Sequence, residues 1–172
     1  MGDVNCQLKN TKLKIMSIAI GTQAPNFTLF NSDKKQVSLA DFKGKNVVLL
    51  FFPLAFTGTC TAELCSVRDN IGTYNSANAV VLGISVDSLF TLEKYKAEQD
   101  LNFQLLSDFN KEASKAFEVL YDTFPAFGML GVSKRAAFVI DGNSIIQYAE
   151  VCPTPGDLPS FEAIQTTLAQ LN

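Results

Sequence analysis

Cys60 stands where a thiol can act as a nucleophile, because it follows a hydrophobic run at 47–52 and sits just before a stretch with helical spacing. The run Val47, Val48, Leu49, Leu50, Phe51, Phe52 reads as a buried strand. Residues 61–74 place Leu64, Val67 and Ile71 on one helical face. The first turn of a helix has backbone N–H groups without intrahelical partners, so negative charge on a side chain there is favoured by hydrogen bonds and by the local dipole. The plain alternative is a small buried hydrophobe, as many free cysteines are. The residues around it are equally open when taken singly. Pro53 can simply end the strand, and Thr57 can be a loop residue or a helix cap.

Three further cysteines, Cys6, Cys65 and Cys152, complete the set. Their spacing is not that of paired zinc ligands, and the chain has no histidine, so no metal site, no cofactor and no Cys-His hydrolase arrangement is expected. Redox chemistry survives that elimination. Cys65 lies five residues after Cys60; on an intact helix such residues are about 7.5 Å apart along the axis and point about 140° apart. A disulfide needs Cα atoms within roughly 7 Å and compatible Cβ directions. A Cys60–Cys65 bridge therefore requires the helix to open. Cys152, in Cys152-Pro153-Thr154-Pro155-Gly156, is expected in an exposed turn, either as a competing resolving thiol or as an unreactive loop cysteine. Glu63 and Arg68 fall in the helix after Cys60, where a solvated or interhelical charge network competes with a supporting role in the site.

Strand-like and helix-like segments alternate along the chain. Strands are expected at 27–30, 36–39, 47–52, 79–86, 103–106, 134–140 and 144–150, the last two joined by an Asp141-Gly142 turn. Helices are expected from about Thr61, from an N-cap at Ser88 through Gln99, and over 160–171, where Phe161, Ile164 and Leu168 recur at helical spacing. Ser38 is placed to cap a short turn at 39–42. This order predicts an α/β sandwich with a central mixed sheet and flanking helices. Residues 1–17 show no strong period and are assigned to an N-terminal arm or extension, with the domain proper at 18–172. The apolar loop at 121–132 is expected either to finish the core or to meet another subunit.

With 172 residues, of which 47% are hydrophobic, the chain can bury a sizeable core. A net charge of −3 with scattered lysines argues against nucleic-acid binding. No apolar stretch approaches the roughly 18 residues of a membrane span, and no compact secretory signal opens the sequence, so a cytoplasmic location is the default expectation.

Taken together, Pro53, Thr57 and Cys60 form a Pro-x-x-x-Thr-x-x-Cys pattern that resembles the active-site signature of the peroxiredoxins. The resemblance extends from about Ile20 to Leu171. The stretch from Cys60 to Asp69 is similar to the one-cysteine and bacterioferritin-comigratory branches, and that from Phe51 to Gly58 to the alkyl-hydroperoxide-reductase-E-like branch. The resemblance implies a thioredoxin-like fold and a thiol-dependent peroxidase that reduces hydrogen peroxide and organic hydroperoxides through a Cys60 sulfenic acid. It implies that Thr57 orients the peroxide and that Pro53 shields the sulfur. Arg135 alone reads as a surface ion-pair residue; the resemblance makes it the fixed positive charge beside Cys60. Implied partners are a thiol reductant such as thioredoxin, glutaredoxin or a low-molecular-weight thiol, and a second copy of the chain in a homodimer. Thiol-disulfide exchange and non-enzymatic peroxide sensing remain as alternatives, although Cys60 and Cys65 do not form the C-x-x-C arrangement of exchange proteins.

Overall fold

The computed structural model describes residues 18–171; the expected arm at 1–17, with Cys6, lies outside the described residues. The chain runs β1 (Thr28–Asn31), β2 (Gln36–Ser38), a short 3-10 turn (Leu39–Phe42), β3 (Asn46–Phe51), α1 (Gly58–Asp69), α2 (Ile71–Ser76), β4 (Ala79–Ser85), α3 (Leu89–Glu98), β5 (Gln104–Ser107), α4 (Glu112–Ala116), β6 (Ala136–Ile140), β7 (Ile146–Val151) and α5 (Phe161–Gln170). The seven strands form one sheet in the order β2-β1-β5-β4-β3-β6-β7. β3, β4 and β5 are parallel neighbours, joined by helical crossovers. β6 and β7 pair antiparallel on one side, and β1 and β2 do so on the other. The mixed α/β sandwich expected from the sequence is the observed fold.

Both faces of the central strands are buried, which is why β3 reads as an unbroken apolar run rather than an alternating one. Val47, Leu49 and Phe51 point into one core with Phe117, Phe138 and Ile140. Val48, Leu50 and Phe52 point into the other, where Leu64 and Val67 of α1, Leu92 and Tyr95 of α3, and Ile164 and Leu168 of α5 cover the sheet. Helix α1 thus lies on the second face with its apolar stripe inward. It begins at Gly58, three residues before the expected start, and breaks at Asn70, whose side chain donates to the Ser66 carbonyl at 2.8 Å. The single helix expected over 61–74 is therefore two.

Local signals set the other helix starts. Ser88 and Ser160 accept from Thr91 and Ala163 backbone N–H groups, as N-caps do. Ser38 stands at the N-cap of the 3-10 turn, and its backbone N–H donates to Asp41 at 2.8 Å. Helix α4 has no counterpart in the sequence reading. Its N-cap position is Lys111, in a left-handed conformation, and its first N–H groups are satisfied instead by the buried Asp108 carboxylate, which accepts from Ala113 and Ser114. Among the described residues, no helix is long and apolar enough to cross a membrane.

Candidate active site

The site is built where β3 hands over to α1. Phe52 still donates its N–H to Ile84, at 3.0 Å, but Pro53 has no N–H and ends the strand. The chain then turns through residues 54–56, with Phe56 at φ +62°, and reaches Thr57 at the N-cap of α1 in an extended conformation. The Thr57 hydroxyl donates to the Leu54 carbonyl at 2.8 Å rather than capping the helix, which closes the loop on itself. Cys60 is the third residue of α1, so its backbone N–H is among those the helix leaves free. Its side chain is 1% exposed.

Arg135 arrives from across the sheet. Phe51 of β3 is in register with Ala136 of β6, which sets Arg135 beside the end of β3, next to the loop that leads to Cys60. The Ser133 hydroxyl ties that segment to the Phe52 carbonyl at 2.9 Å. One guanidinium nitrogen donates to Cys60 Sγ at 3.4 Å and to the Pro155 carbonyl at 2.8 Å, and the other pairs with the Glu63 carboxylate. Glu63 lies three residues after Cys60, the spacing that puts two side chains on one helical face. The sulfur, the guanidinium and the carboxylate therefore form one buried cluster with both neighbours of Arg135 on α1.

Burial pushes the Glu63 carboxyl up to about 7, against the opposing pull of the Arg135 charge and hydrogen bond. Burial also works against the charge on Arg135, but Glu63 and the Cys60 sulfur outweigh it and hold the guanidinium above the ordinary arginine value. Among the described residues, Glu63 Oε1 and Arg135 Nε have no hydrogen-bond partner. The expectation of a solvated charge network at Glu63 is corrected: the residue is fully buried and braces Arg135. Arg68 is not brought to the sulfur. It bonds to Asp69 at 2.8 Å and to the Gln99 carbonyl at 2.6 Å, and so ties α1 to the end of α3.

A cleft of about 280 Å³ opens over Cys60. Pro53, Thr57 and Arg135 line it, together with the apolar Phe124, Ala126 and Met129. The loop at 121–132 therefore does two things at once. Phe124 is buried, while Phe127, which also lines the cleft, is 92% exposed, and Leu130 is 74% exposed.

The other two described cysteines are placed differently. Cys65 lies further along α1, partly buried, with its thiol 3.8 Å from the Gln99 side-chain oxygen. Cys152 is only 3% exposed, because its N–H donates to the Arg135 carbonyl and holds it at the end of the β6–β7 pairing. The expected exposed turn begins one residue later, at Pro153 and Thr154. Burial, with a contribution from the nearby Glu150 charge, pushes the Cys152 thiol up to about 11.

Two contacts of the site left no mark in the sequence reading: the Pro155 carbonyl on Arg135 and the Asp87 carboxylate on the Ala55 N–H, at 2.8 Å. A proline carbonyl carries no signal of its own. Asp87 follows a strand as many turn residues do.

A mixed sheet with a buried thiol in the first turn of a helix, an arginine on its sulfur and a proline-bounded loop before it defines a redox protein of thioredoxin-like fold. The chain belongs to the AhpC/TSA family, whose model matches residues 20–149, and within it to the bacterioferritin-comigratory and alkyl-hydroperoxide-reductase-E-like branch of the peroxiredoxins. Thiol peroxidase chemistry through a peroxidatic cysteine is the mechanism of that family. The chain is 36% identical to alkyl hydroperoxide reductase E of Mycobacterium tuberculosis over 155 residues, 88% of this chain and 97% of that protein. It is 37% identical to the chloroplastic peroxiredoxin Q of Oryza sativa over 131 residues, 76% of this chain and 58% of the rice protein, so it spans less than two thirds of that relative's length. The reduced 2-Cys peroxiredoxin of Plasmodium vivax superposes with a TM-score of 0.78 at 31% identity, covering 88% of this chain and 81% of that one.

Proposed function

We propose that the chain is a thiol-dependent peroxidase with Cys60 as the peroxidatic residue, and that it reduces hydrogen peroxide and organic hydroperoxides. The observation that carries this reading is the Arg135 guanidinium donating to Cys60 Sγ at 3.4 Å at the floor of a cleft bordered by Pro53 and Thr57. The Cys60 thiolate attacks the terminal peroxide oxygen, an S–O bond forms as the O–O bond breaks, and the electron pair leaves with the departing oxygen. That oxygen takes a proton and departs as water or alcohol, leaving Cys60 sulfenic acid. Arg135, the Thr57 hydroxyl and the free N–H groups of residues 58–60 lie where charge develops on the breaking bond. Fixed donors of that kind do not have to reorganise during the reaction. Pro53 walls the sulfur off from solvent.

The apolar lining of the cleft, with Phe124, Ala126 and Met129, favours hydroperoxides that carry an organic group. The sulfenic acid is then reduced by a thiol, which gives a disulfide and water, and a second thiol restores Cys60. Cys65 is the resolving candidate within the chain. Cys152, with its thiol pushed up by burial, is a weak nucleophile near neutral pH. A small thiol or a thioredoxin- or glutaredoxin-like protein completes the cycle, and a reducing compartment such as the cytoplasm suits it. A homodimer fits the three exposed phenyl rings of Phe30, Phe90 and Phe109, which gather around one cleft on the chain's surface. Thiol-disulfide exchange fits less well, since Cys60 and Cys65 do not form the C-x-x-C pair of exchange proteins.

Turnover of hydrogen peroxide and cumene hydroperoxide, with an excess of a competent dithiol, tests the reading. The wild-type protein consumes both peroxides, and Cys60→Ser falls to the uncatalysed rate. A folded, reduced wild-type protein without turnover refutes it.

A further inference from the structure

The loop that carries Pro53 and Thr57 to the cleft holds a conformation it would not keep alone. Phe56, one residue before Thr57, has φ +62°. A bulky side chain seldom occupies that region, and such a residue persists where its surroundings over-determine it. Two contacts do so here. The Phe56 ring packs at 60° against Tyr95 of α3, with centroids 4.9 Å apart. On the backbone side, the Ala55 N–H donates to Asp87 Oδ2 at 2.8 Å.

Asp87 lies just past β4, 32 residues from Ala55, and is held to the sheet by three bonds. The Ser85 hydroxyl donates to the same Oδ2 at 2.6 Å, the Asp87 N–H donates to Ser85 Oγ at 2.9 Å, and the Ser107 hydroxyl donates to the Asp87 carbonyl at 2.6 Å. Ser85 and Ser107 are register partners across β4 and β5, and Ser85 is fully buried. The two bonds between Ser85 and Asp87 would by themselves close the turn after β4. The bond to Ala55 adds something else, because it fastens the peroxide-facing loop to the rigid end of the sheet. Cys60 and Arg135 are held independently of it, by α1 and by the β3–β6 register.

We propose that Asp87 is a positioning residue for peroxide reduction: through the Ala55 N–H it fixes the 53–57 loop so that Pro53 and Thr57 hold the peroxide in line with the Cys60 sulfur. The proposal rests on the peroxidase reading. Asp87 acts through the loop and touches neither substrate nor sulfur. Its loss should therefore separate two reactions of the same thiol. Attack on a peroxide needs an oriented O–O bond, and a loosened positioning group can cost on the order of a hundredfold in such a step. Alkylation by iodoacetamide needs the sulfur but no aligned peroxide.

The experiment follows Cys60 in the full chain by peptide mass mapping, with dimedone trapping of the sulfenic acid for the peroxide reaction and iodoacetamide for alkylation. Wild type, Asp87→Ala, Asp87→Asn and Ser85→Ala are compared, with thermal unfolding as a check on folding. Asp87→Ala is expected to slow sulfenic acid formation by on the order of a hundredfold while alkylation does not fall below the wild-type rate. Asp87→Asn, which keeps an acceptor oxygen for Ala55, recovers most of the peroxide rate. Ser85→Ala, which frees the carboxylate without removing it, slows the peroxide reaction alone and to a smaller extent; it decides the matter if Asp87→Ala does not fold. Folded variants that form sulfenic acid as fast as wild type overturn the positioning role and leave the peroxidase reading standing. Variants in which both reactions fall together overturn it as well, because they point to general loosening. A wild-type protein that alkylates at Cys60 but never forms the sulfenic acid overturns both.

Discussion

Arg135 is the residue whose surroundings say most about the site, since it serves a sulfur, a carboxylate and a carbonyl from within a buried position. Replacing it by methionine leaves Glu63 buried without its counter-charge, a change that typically costs about 3–5 kcal/mol. Urea denaturation should find most of that loss in Arg135→Met and a partial recovery in Arg135→Met/Glu63→Gln, while sulfenic acid formation stays slow in both. Glu63 also makes stability depend on pH. Its folded value, about 7, lies above its ordinary 4.5, so the native state holds the proton more tightly than the unfolded chain does. The resulting contribution is fully present below pH 4.5 and is lost as pH rises through about 7. The urea midpoint of the wild type, relative to that of Glu63→Gln, should therefore fall between those values; parallel profiles would show that Glu63 is not held in this way.

At the scale of elements, the proposed cycle with Cys65 as resolving thiol gives α1 two tasks that conflict. It must be intact to present its free N–H groups and the Cys60 sulfur, yet it must open for Cys65 to reach that sulfur. Its closed form is secured on the side of α3: the Thr61 hydroxyl and Tyr95 phenol are 3.0 Å apart, and Arg68 is bonded to the Gln99 carbonyl. Gly58, the first residue of α1, offers a way to shift the balance. A Cβ there meets nothing within 4 Å, and its φ is not in the left-handed region. Gly58→Ala should stabilise the protein by about 0.4–1 kcal/mol, chiefly by restricting the unfolded chain. It should also slow the appearance of a Cys60–Cys65 disulfide in mass-mapped time courses. Faster bridge formation in this variant would contradict a route through helix opening. The centre of the sheet has no comparable freedom. A Cβ on Gly83 would lie 2.7 Å from Leu105 and 3.4 Å from Phe52, so Gly83→Ala should cost about 1–3 kcal/mol by overpacking, read as a lowered urea midpoint.

Over the whole molecule, the cleft over Cys60 and the aromatic cleft are separate surfaces. The first is ringed by residues from the 53–57 loop, the 121–132 loop and the turn at 155–156. The second gathers Phe30, Phe90 and Phe109 from β1, α3 and the segment after β5. Large exposed apolar patches on a folded protein mark interaction sites more often than chance. Sedimentation velocity should show a dimer for the wild type and a shift towards monomer for Phe90→Glu/Phe109→Glu. A double variant that sediments as the wild type would remove this face from the interface.

Much of the architecture was legible in the sequence because it depends on near neighbours. The apolar run of β3, the cap at Ser88 and the helical spacing of Ile164 and Leu168 are local patterns, and the elements formed where those patterns predicted them. The Pro53, Thr57 and Cys60 spacing likewise lies within eight residues, so the handover from strand to helix could be read directly. Tertiary structure decided what joins distant segments. The register of β6 on β3 brought Arg135 to Cys60 and to Glu63, 72 residues away in the chain, and the pairing of β7 with β6 buried Cys152 where turn residues alone had suggested exposure. Helix α4 was not legible in the sequence because its capping carboxylate, Asp108, sits outside the usual N-cap position. The bond from Asp87 to Ala55 depends on how the end of β4 meets the loop after β3, a contact that strand alignment creates and that neither segment's residue pattern contains.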